Sequence, residues 1–347
     1  MQIGLDSFIA TAPAGSASDT ARLQELLEQI ELADQVGLDV VGIGEHHRDG
    51  FLDSAPAVIL AAAGARTRRI RLASAVTVLS AADPVRVFQE FATLDLLTAG
   101  RAEMVVGRGS FIDAFPLFGL DLEDYAELFT EKLDLLLKLR EQPNVTWSGR
   151  HRPALTGQGV YPRPAQNPLP IWLGVGGTPQ SFVRAGTLGL PLMVAIIGGE
   201  PHRFRPLIDA YRDAYTRAGH PPEGMRVGVH CLGYAADTTA RARDEFFPGY
   251  AETFTAIGRE RGWPPTTRAM FDALCGPTGA LHVGDPATVA EKIVRTHRAL
   301  GGLARFQFQM SVASLPHAQL MRAIELIGTQ VMPLVQRELG PAAATAL

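Results

Sequence analysis

The stretch Asp39-Val40-Val41-Gly42-Ile43-Gly44-Glu45-His46-His47 is a short apolar segment that ends in one carboxylate and two imidazoles. Valine and isoleucine bounded by glycine predict a strand that is buried on both faces, as in a parallel sheet. The polar residues then lie just beyond the carboxyl end of this strand. Ligands bind at that end in sheets and barrels of parallel strands. Residues 45–47 are therefore the first candidates for a functional site.

Strand and helix patterns alternate on both sides of this stretch. A helical pattern that closes at Gly37 precedes it, and apolar segments followed by helical periodicity continue to the end of the chain. Eight strand and helix pairs in 347 residues favour a closed (β/α)8 TIM barrel, in the α/β class, over an open doubly wound sheet. Because no linker divides the chain, we expect residues 1–347 to form one barrel domain. The predicted strands are 2–8, 39–44, 70–79, 102–106, 171–175, 192–197, 225–234 and 305–310.

Two segments interrupt the alternation. Residues 141–170 follow the fourth helix and are rich in Pro, Gly, Asn, Gln and Arg, with little periodicity. Connections of this length are usually functional, so we predict a long excursion that lies over the barrel rim and helps to exclude water. A polar helical pattern at 238–261 follows the seventh strand and predicts a helical insertion there.

Composition excludes several classes of protein. Lys and Arg total 32 against 36 Asp and Glu, and the chain has no basic run or tail, so we do not expect nucleic acid as a partner. The two cysteines, Cys231 and Cys275, lie outside any zinc-binding spacing and fit a reducing, cytoplasmic location. Apolar runs such as 190–197 are too short to span a bilayer, and no signal-peptide pattern occurs, so we do not expect membrane association.

The adjacent histidines are candidates for proton transfer. Neighbouring side chains on an extended segment point to opposite sides, so His46 and His47 do not easily face the same ligand. An imidazole has an ordinary pKa near neutrality and can act as acid or base, but a hydrogen-bonded histidine at a strand end is an equally good interpretation. Glu45-His46-His47 lacks the HExxH spacing and a nearby third ligand, so no metal site is predicted.

Two glycine-rich strand ends fit a phosphate group. Arg108 follows the fourth strand between Gly107 and Gly109, and arginine donates forked hydrogen bonds to phosphate where glycines allow close approach. After the fifth strand, Gly176-Gly177-Thr178 leads into a helix whose free N–H groups form an anion site. For the first segment alone, a surface arginine in a glycine turn is the default interpretation, and for the second alone a plain glycine turn capped by threonine is a serious alternative. Together at one rim they favour a phosphate-bearing cofactor.

Two other strands carry weaker evidence. Small residues around Ala75 in the third strand would let a flat ring lie against it, although ordinary barrel packing explains them as well. Glu103 lies inside an apolar strand, where a carboxylate must be paired or solvated. A structural ion pair with an arginine is favoured over catalysis.

Taken together and in this order, these segments resemble the luciferase-like monooxygenase family, the flavin-dependent barrels that include bacterial luciferase. The similarity covers nearly the whole chain, including residues 94–101, 281–293 and 315–326. It implies an oxidoreductase that uses reduced FMN and O₂ to oxygenate a small organic substrate. It also implies a homodimer and a separate flavin reductase, since residues 174–177 do not complete a dinucleotide-binding GxGxxG.

The resemblance assigns roles by position. His46 matches a histidine implicated in proton transfer beside the flavin, and His47 is its neighbour, so these two are the catalytic candidates. The segment that matches the wall behind the flavin ring includes an expected cis peptide between Ala75 and Val76. Luciferase's alpha subunit has a cysteine where this chain has Gly107, so light emission is not implied. The candidate cofactor-binding residues are Ala75, Val76, Thr77, Arg108, Gly176, Gly177 and Thr178.

Two alternatives to this function stay open. The family also contains dehydrogenases and reductases that use the deazaflavin F420, so hydride transfer with F420 or FMN is the second hypothesis. Arg108 resembles the FMN-type clamp and favours FMN. The third hypothesis is a non-catalytic flavin-binding partner protein, and the presence of His46 and Arg108 argues against it.

Overall fold

Parallel strands close into a barrel in the computed structural model, which describes residues 1–11, 18–311 and 315–340. The first strand pairs with both the second and the last, so the ring has no open edge. Eight barrel positions result, because β3 and β4 are two pieces of one position and β6, β7 and β11 lie outside the ring. The predicted TIM barrel is confirmed. The strands are β1 Gln2–Ser7, β2 Val40–Ile43, β3 Arg71–Ser74, β4 Thr77–Val78, β5 Ala102–Gly107, β6 Asn144–Trp147, β7 Leu155–Gly159, β8 Ile171–Val175, β9 Leu192–Ile196, β10 Val227–Ala235, β11 His282–Gly284 and β12 Arg305–Gln309.

Helices surround the barrel and connect its strands. They are α1 Asp19–Gln35, α2 Pro56–Arg66, α3 Pro84–Leu97, α4 Ala114–Leu117, α5 Tyr125–Glu141, α6 Pro179–Thr187, α7 Arg205–Arg217, α8 Thr239–Arg261, α9 Arg268–Cys275, α10 Pro286–Ala299, α11 His317–Leu326 and α12 Met332–Leu339. Short 3₁₀ turns occur at Leu122–Asp124, Pro201–Phe204 and Pro222–Gly224, and a π turn at Ile327–Val331 joins α11 to α12. Within the described ranges, no helix is both long and apolar enough to cross a membrane.

Local sequence explains where several helices begin and end. Asp83 and Asp285 accept backbone N–H hydrogen bonds at the starts of α3 and α10, and each is followed by proline. Aspartate satisfies the free N–H groups of a first turn, and proline fits the first helical position because it has no N–H to leave unpaired. After α1 the chain turns at Gly37, whose φ of 88° favours glycine.

A charged cluster fills the lower barrel. Glu103 on β5 accepts hydrogen bonds from Arg71 Nε at 2.9 Å and from Arg305 Nη2 at 2.8 Å, and its other oxygen accepts one from Trp172 Nε1 at 2.9 Å. Burial raises the pKa of Glu103, but the two arginines outweigh burial and lower it to about 2. The prediction that Glu103 forms a structural ion pair with an arginine is confirmed.

The structure corrects the prediction for residues 141–170. They contain an antiparallel hairpin of β6 and β7 instead of a loop over the rim. Trp147 Nε1 donates to Asp134 of α5 at 2.9 Å, and Arg152 Nε donates to Asp83 before α3 at 2.8 Å, so the hairpin packs on the outside of the barrel. Val145 and Trp147 are buried while their neighbours are exposed. This alternation within a short, turn-rich segment was too brief to be recognised as a strand.

Two other elements differ from the predicted pattern. The predicted third strand, 70–79, is broken between β3 and β4 at Ala75 and Val76. After β10 the structure has α8 at the position of the predicted insertion, followed by α9 and β11, which were not predicted. The C-terminal half of α8 reaches the carboxyl ends of the barrel strands, where it takes part in the site described next.

Candidate active site

A cavity of about 980 Å³ lies at the carboxyl ends of the barrel strands, and all eight barrel positions contribute to its wall. Ligand pockets commonly measure about 300–1,000 Å³, so this cavity has room for a cofactor together with a substrate. The structure places eight of the nine predicted residues on its wall: His46, His47, Ala75, Val76, Arg108, Gly176, Gly177 and Thr178.

Two arginines and a helix start form a positively charged corner of the cavity. Arg108 Nη2 lies 3.5 Å from Thr178 Oγ1, and Thr178 precedes α6 without using its side chain as a cap. Arg184 of α6 lines the same cavity, and burial together with the charge of Arg108 lowers its pKa. Neither arginine has a carboxylate partner among the described residues. A Cβ added to Gly176 or Gly177 would meet no atom within 4 Å, so a ligand can approach their backbone.

Tyr125 holds Arg108 in this position. The guanidinium lies over the Tyr125 ring, with Cζ 5.1 Å from the ring centroid, and the Tyr125 hydroxyl donates to the Gly109 carbonyl at 2.8 Å. The phenol thereby ties the arginine to the turn that follows β5. Burial raises the pKa of Tyr125, so the ring stays neutral.

A flat wall adjoins this corner between β2 and β5. The Ala75–Val76 peptide is cis, as the family resemblance implied. The Val76 side chain occupies a slot between two glycines: a Cβ added to Gly107 would lie 2.8 Å from Val76 Cγ2, and one added to Gly174 would lie 2.7 Å from Cγ1. A side chain at position 107 would collide with Val76, which explains the glycine there. Thr77, which we predicted to be part of this wall, is buried and does not line the cavity.

His46 lies on the cavity wall, and one nitrogen of its imidazole ring is held by a hydrogen bond. Its Nδ1 is 3.0 and 3.1 Å from the two carboxylate oxygens of Asp53, which is fully buried and also accepts from the Ile9 N–H. Phe51 stacks on the imidazole at a centroid distance of 4.2 Å, and Phe8 packs edge-on at 4.8 Å. Because a carboxylate only accepts, Nδ1 carries a proton, and in a neutral ring Nε2 is the free acceptor.

His47 has a different environment from His46. Its Nε2 lies 2.8 Å from Glu45 Oε1, and the other Glu45 oxygen accepts the Val78 N–H at 3.0 Å. The ring packs edge-on against Phe118. Glu45 therefore connects His47 to β4, on the opposite side from the aromatic contacts of His46, as expected for neighbours on an extended segment.

A buried polar network forms the cavity floor. Asp6 Oδ2 accepts from His230 Nδ1 at 2.5 Å, Asp6 Oδ1 accepts from Gln307 Nε2 at 2.6 Å, and His230 Nε2 lies 2.9 Å from Gln309 Oε1. Burial lowers the pKa of His230, but the hydrogen bond and charge of Asp6 outweigh burial and raise it. Acceptors at both ring nitrogens favour the imidazolium form of His230.

A family model described as luciferase-like monooxygenase matches residues 1–302. The chain belongs to this family. The resemblance noted in the sequence is therefore confirmed, and with it the class of enzyme, an oxidoreductase. Among its relatives, 4-hydroxyprotoasukamycin monooxygenase of Streptomyces nodosus subsp. asukaensis is 38% identical over 69% of this chain and 66% of that protein. An F420-dependent glucose-6-phosphate dehydrogenase of Amycolatopsis mediterranei is 31% identical over 44% of this chain and 48% of that protein.

Solved structures share the fold of this luciferase-like protein. Monooxygenase RslO1 from Streptomyces bottropensis superposes with a TM-score of 0.85 at 24% identity, covering 96% of this chain and 99% of that one. A second structure is the oxygenating constituent of 3,6-diketocamphane monooxygenase from Pseudomonas putida, a type II Baeyer-Villiger monooxygenase in complex with FMN. It superposes with a TM-score of 0.79 at 20% identity, covering 96% of this chain and 98% of that one. At these identities the likeness concerns the fold alone.

Four side chains at or beside the cavity were not predicted from the sequence. Asp6 and His230 are polar residues inside apolar strands, the same pattern that singled out Glu103, and could have been found by it. Asp53 lies in a loop and Arg184 in a helix, and only the folded chain brings Asp53 to His46 and Arg184 to the cavity. Away from the cavity, Asp124, Glu127 and His151 have side-chain N or O atoms within 4.8 Å of one another, in the turn before α5, on α5 and in the hairpin turn.

Proposed function

We propose that this chain is a flavin-dependent monooxygenase that takes reduced FMN and O₂ and oxygenates an organic substrate. One observation carries the proposal: a single cavity joins a positively charged corner at Arg108 and Thr178 to a histidine with a free ring nitrogen, with the Ala75–Val76 wall between their strands. FMN is a flat ring with a terminal phosphate, so its chemistry fits these features. The relative named as a monooxygenase supports the same reaction.

The positively charged corner would hold the FMN phosphate. Arg108, Arg184 and Thr178 offer charge-assisted and hydroxyl hydrogen bonds, and the N–H groups after Gly176 and Gly177 lie at the positive end of α6. Two cations without carboxylate partners among the described residues are costly unless an anion neutralises them. Their presence supports a phosphate at this corner.

His46 would move the proton in the reaction. When bound, reduced FMN supplies the two electrons that activate O₂. Asp53 fixes the proton on Nδ1, which leaves Nε2 to accept a proton and later return it. Phe8 and Phe51 pack on the imidazole ring, and the end of α8 lines the same cavity. His47, bonded to Glu45, would act as support for the strand exit and not as the proton carrier.

Two partners belong to this proposal. Reduced FMN would come from a separate flavin reductase, since residues 174–177 do not form a complete dinucleotide motif. We also infer a homodimer from the family. Sedimentation velocity of the purified chain tests the dimer, and a monomer at micromolar concentration would contradict it.

Binding of FMN and of riboflavin tests the phosphate corner. Riboflavin lacks the phosphate, so Arg108→Ala should weaken FMN binding about 10- to 100-fold and leave riboflavin binding unchanged, as expected for a lost charge-assisted hydrogen bond. Flavin fluorescence quenching measures both affinities. Arg217→Ala, on the exposed end of α7, is the matched control. If purified protein binds neither oxidised nor reduced FMN, the proposal is wrong.

Hydride transfer with F420 is the second candidate, favoured by the F420-dependent relative. Side-by-side titration of FMN and F420 decides between the two cofactors, and a clear preference for F420 would overturn the FMN assignment. Turnover then tests catalysis. Substrate-dependent O₂ consumption with a flavin reductase should be present and should be lost in His46→Ala. Flavin binding without any turnover across a broad substrate panel would favour a non-catalytic partner protein.

A further inference from the structure

Aromatic rings dominate the part of the cavity around His46. Phe51 stacks on the imidazole with the ring planes 16° apart, and Phe111 lies 6.1 Å from Phe51 at a tilt of 47°. Phe254 of α8 and Trp263, which follows that helix, face the same space. Aromatic surfaces bind flat rings through offset and edge contacts, worth about 0.5–1.5 kcal/mol per pair beyond the buried area. The wall therefore favours a planar ligand over a flexible chain.

One polar atom stands out in this aromatic surrounding. Nδ1 of His46 is committed to Asp53, and Nε2 makes no hydrogen bond to any residue that the structure describes. Nε2 is thus an acceptor on an apolar wall. A buried acceptor discriminates strongly for a ligand that brings a donor, because a ligand without one leaves the nitrogen unpaired.

We propose that the substrate is an aromatic compound with a ring hydroxyl, and that this hydroxyl donates to Nε2 of His46. The inference rests on the proposed monooxygenase function. Loss of the hydroxyl proton to His46 makes the ring electron-rich at the carbon that is oxygenated. In the balanced reaction, HO–ArH, O₂ and FMNH₂ give HO–Ar–OH, water and FMN. A ring C–O bond forms, a ring C–H bond and the O–O bond break, the second oxygen atom leaves as water, and FMNH₂ is the reductant.

Binding of three probes to the FMN-loaded protein tests the substrate class. 2-Naphthol has a ring and a hydroxyl, naphthalene has the ring alone, and decan-1-ol has a hydroxyl on a flexible chain. Calorimetry should show 2-naphthol binding at least tenfold more tightly than either of the other two. Phe111→Leu should reduce this preference severalfold, whereas Phe247→Leu, at an aromatic residue that does not line the cavity, should not.

4-Nitrophenol reports directly on the proposed hydrogen bond. Its phenolate absorbs visible light, so binding near Nε2 should raise the phenolate fraction at a fixed pH below its free pKa. His46→Gln should abolish the rise while FMN still binds, which shows that the variant is folded.

The outcomes separate this inference from the proposed function. If FMN binds but decan-1-ol equals or exceeds 2-naphthol, or bound 4-nitrophenol keeps its free spectrum, the substrate class is wrong and the monooxygenase proposal stands. If FMN does not bind to the wild-type protein, both are overturned.

Discussion

At the scale of single residues, Val76 sets the shape of the cavity wall between β2 and β5. Its two methyl groups fill the space where side chains at positions 107 and 174 would lie. We expect Gly107→Ala to lower the free energy of unfolding by about 1–3 kcal/mol, because the added carbon overpacks this contact. Urea unfolding measures the loss. The double variant Gly107→Ala with Val76→Ala should recover most of the lost stability. Equal losses in the single and double variants would contradict the view that Val76 fills the space beside position 107.

Gly176→Ala is the matched change at an open position. The added carbon meets no atom within 4 Å, and the φ of Gly176 is not positive, so stability should stay within about 0.5 kcal/mol of the wild type. FMN affinity should fall, since the methyl group stands where the phosphate would approach the backbone. Unchanged FMN affinity, measured by fluorescence quenching, would place the phosphate elsewhere.

Asp53 acts through His46 if the proton-transfer role is right. Asp53→Asn removes the charge that holds the proton on Nδ1, so we expect kcat to fall about 100-fold with the FMN Kd changed less than twofold. The pH profile of kcat should shift as well, which a purely structural role would not cause. Oxygen uptake and flavin titration measure these quantities, and an unchanged kcat would show that the charge of Asp53 does not act through His46.

At the scale of elements, local sequence patterns predicted the eight barrel positions but not the break in the third strand or the loop contact of Asp53 with His46. Buried parallel strands are continuous apolar runs, so all eight barrel positions were recognisable from sequence. The break at Ala75–Val76 came from family resemblance, since no pattern of apolar residues marks a cis peptide. Arg108 and Thr178 were found because both follow strands. Asp53 was not, because its contact with His46 depends on how a loop folds back.

One ion pair joins the end of α8, which lines the cavity, to the loop after β2. Arg48, in the loop after β2, donates to Glu260 at 2.6 and 3.2 Å, and this hydrogen bond lowers the pKa of Glu260. Glu260→Gln should speed backbone hydrogen exchange in residues 252–262 a few-fold, because an exposed pair contributes only modestly. Glu291→Gln, which breaks the Arg295 pair on α10, is the control. Equal exchange in wild type and Glu260→Gln would show that α8 is held by packing alone.

At the scale of the whole molecule, Glu103 joins strands from distant parts of the chain. Its folded pKa of about 2 lies below the usual value of 4.5, so its contribution to stability is present above pH 4.5 and is lost as the pH falls towards 2. The shift corresponds to about 3 kcal/mol. Glu103→Gln leaves Arg71 and Arg305 without their carboxylate, so it should destabilise the protein by about 3–5 kcal/mol at pH 7.

The pH dependence of urea unfolding checks this effect. The stability difference between wild type and Glu103→Gln should shrink as the pH falls from 4.5 towards 2, because Glu103 of the unfolded chain binds a proton over this range while the folded carboxylate stays ionised until the pH nears 2. Glu291→Gln, at an exposed pair, should show no such convergence. A difference that stays constant with pH would mean that the cluster stabilises the barrel through packing and not through charge.

Closure of the ring by β1 and β12 also affects how the protein is made. Gln2 accepts hydrogen bonds from Arg305 at 3.0 and 2.8 Å, and β1 lacks one of its two neighbours until residues 305–309 have been synthesised. At about 5–20 residues per second, a ribosome needs roughly 15–60 seconds to synthesise the chain between β1 and β12. During this time the nascent chain exposes an unpaired strand edge on each side of the growing sheet. Biosynthesis, more than the finished barrel, is therefore the stage at which this chain most needs protection from aggregation.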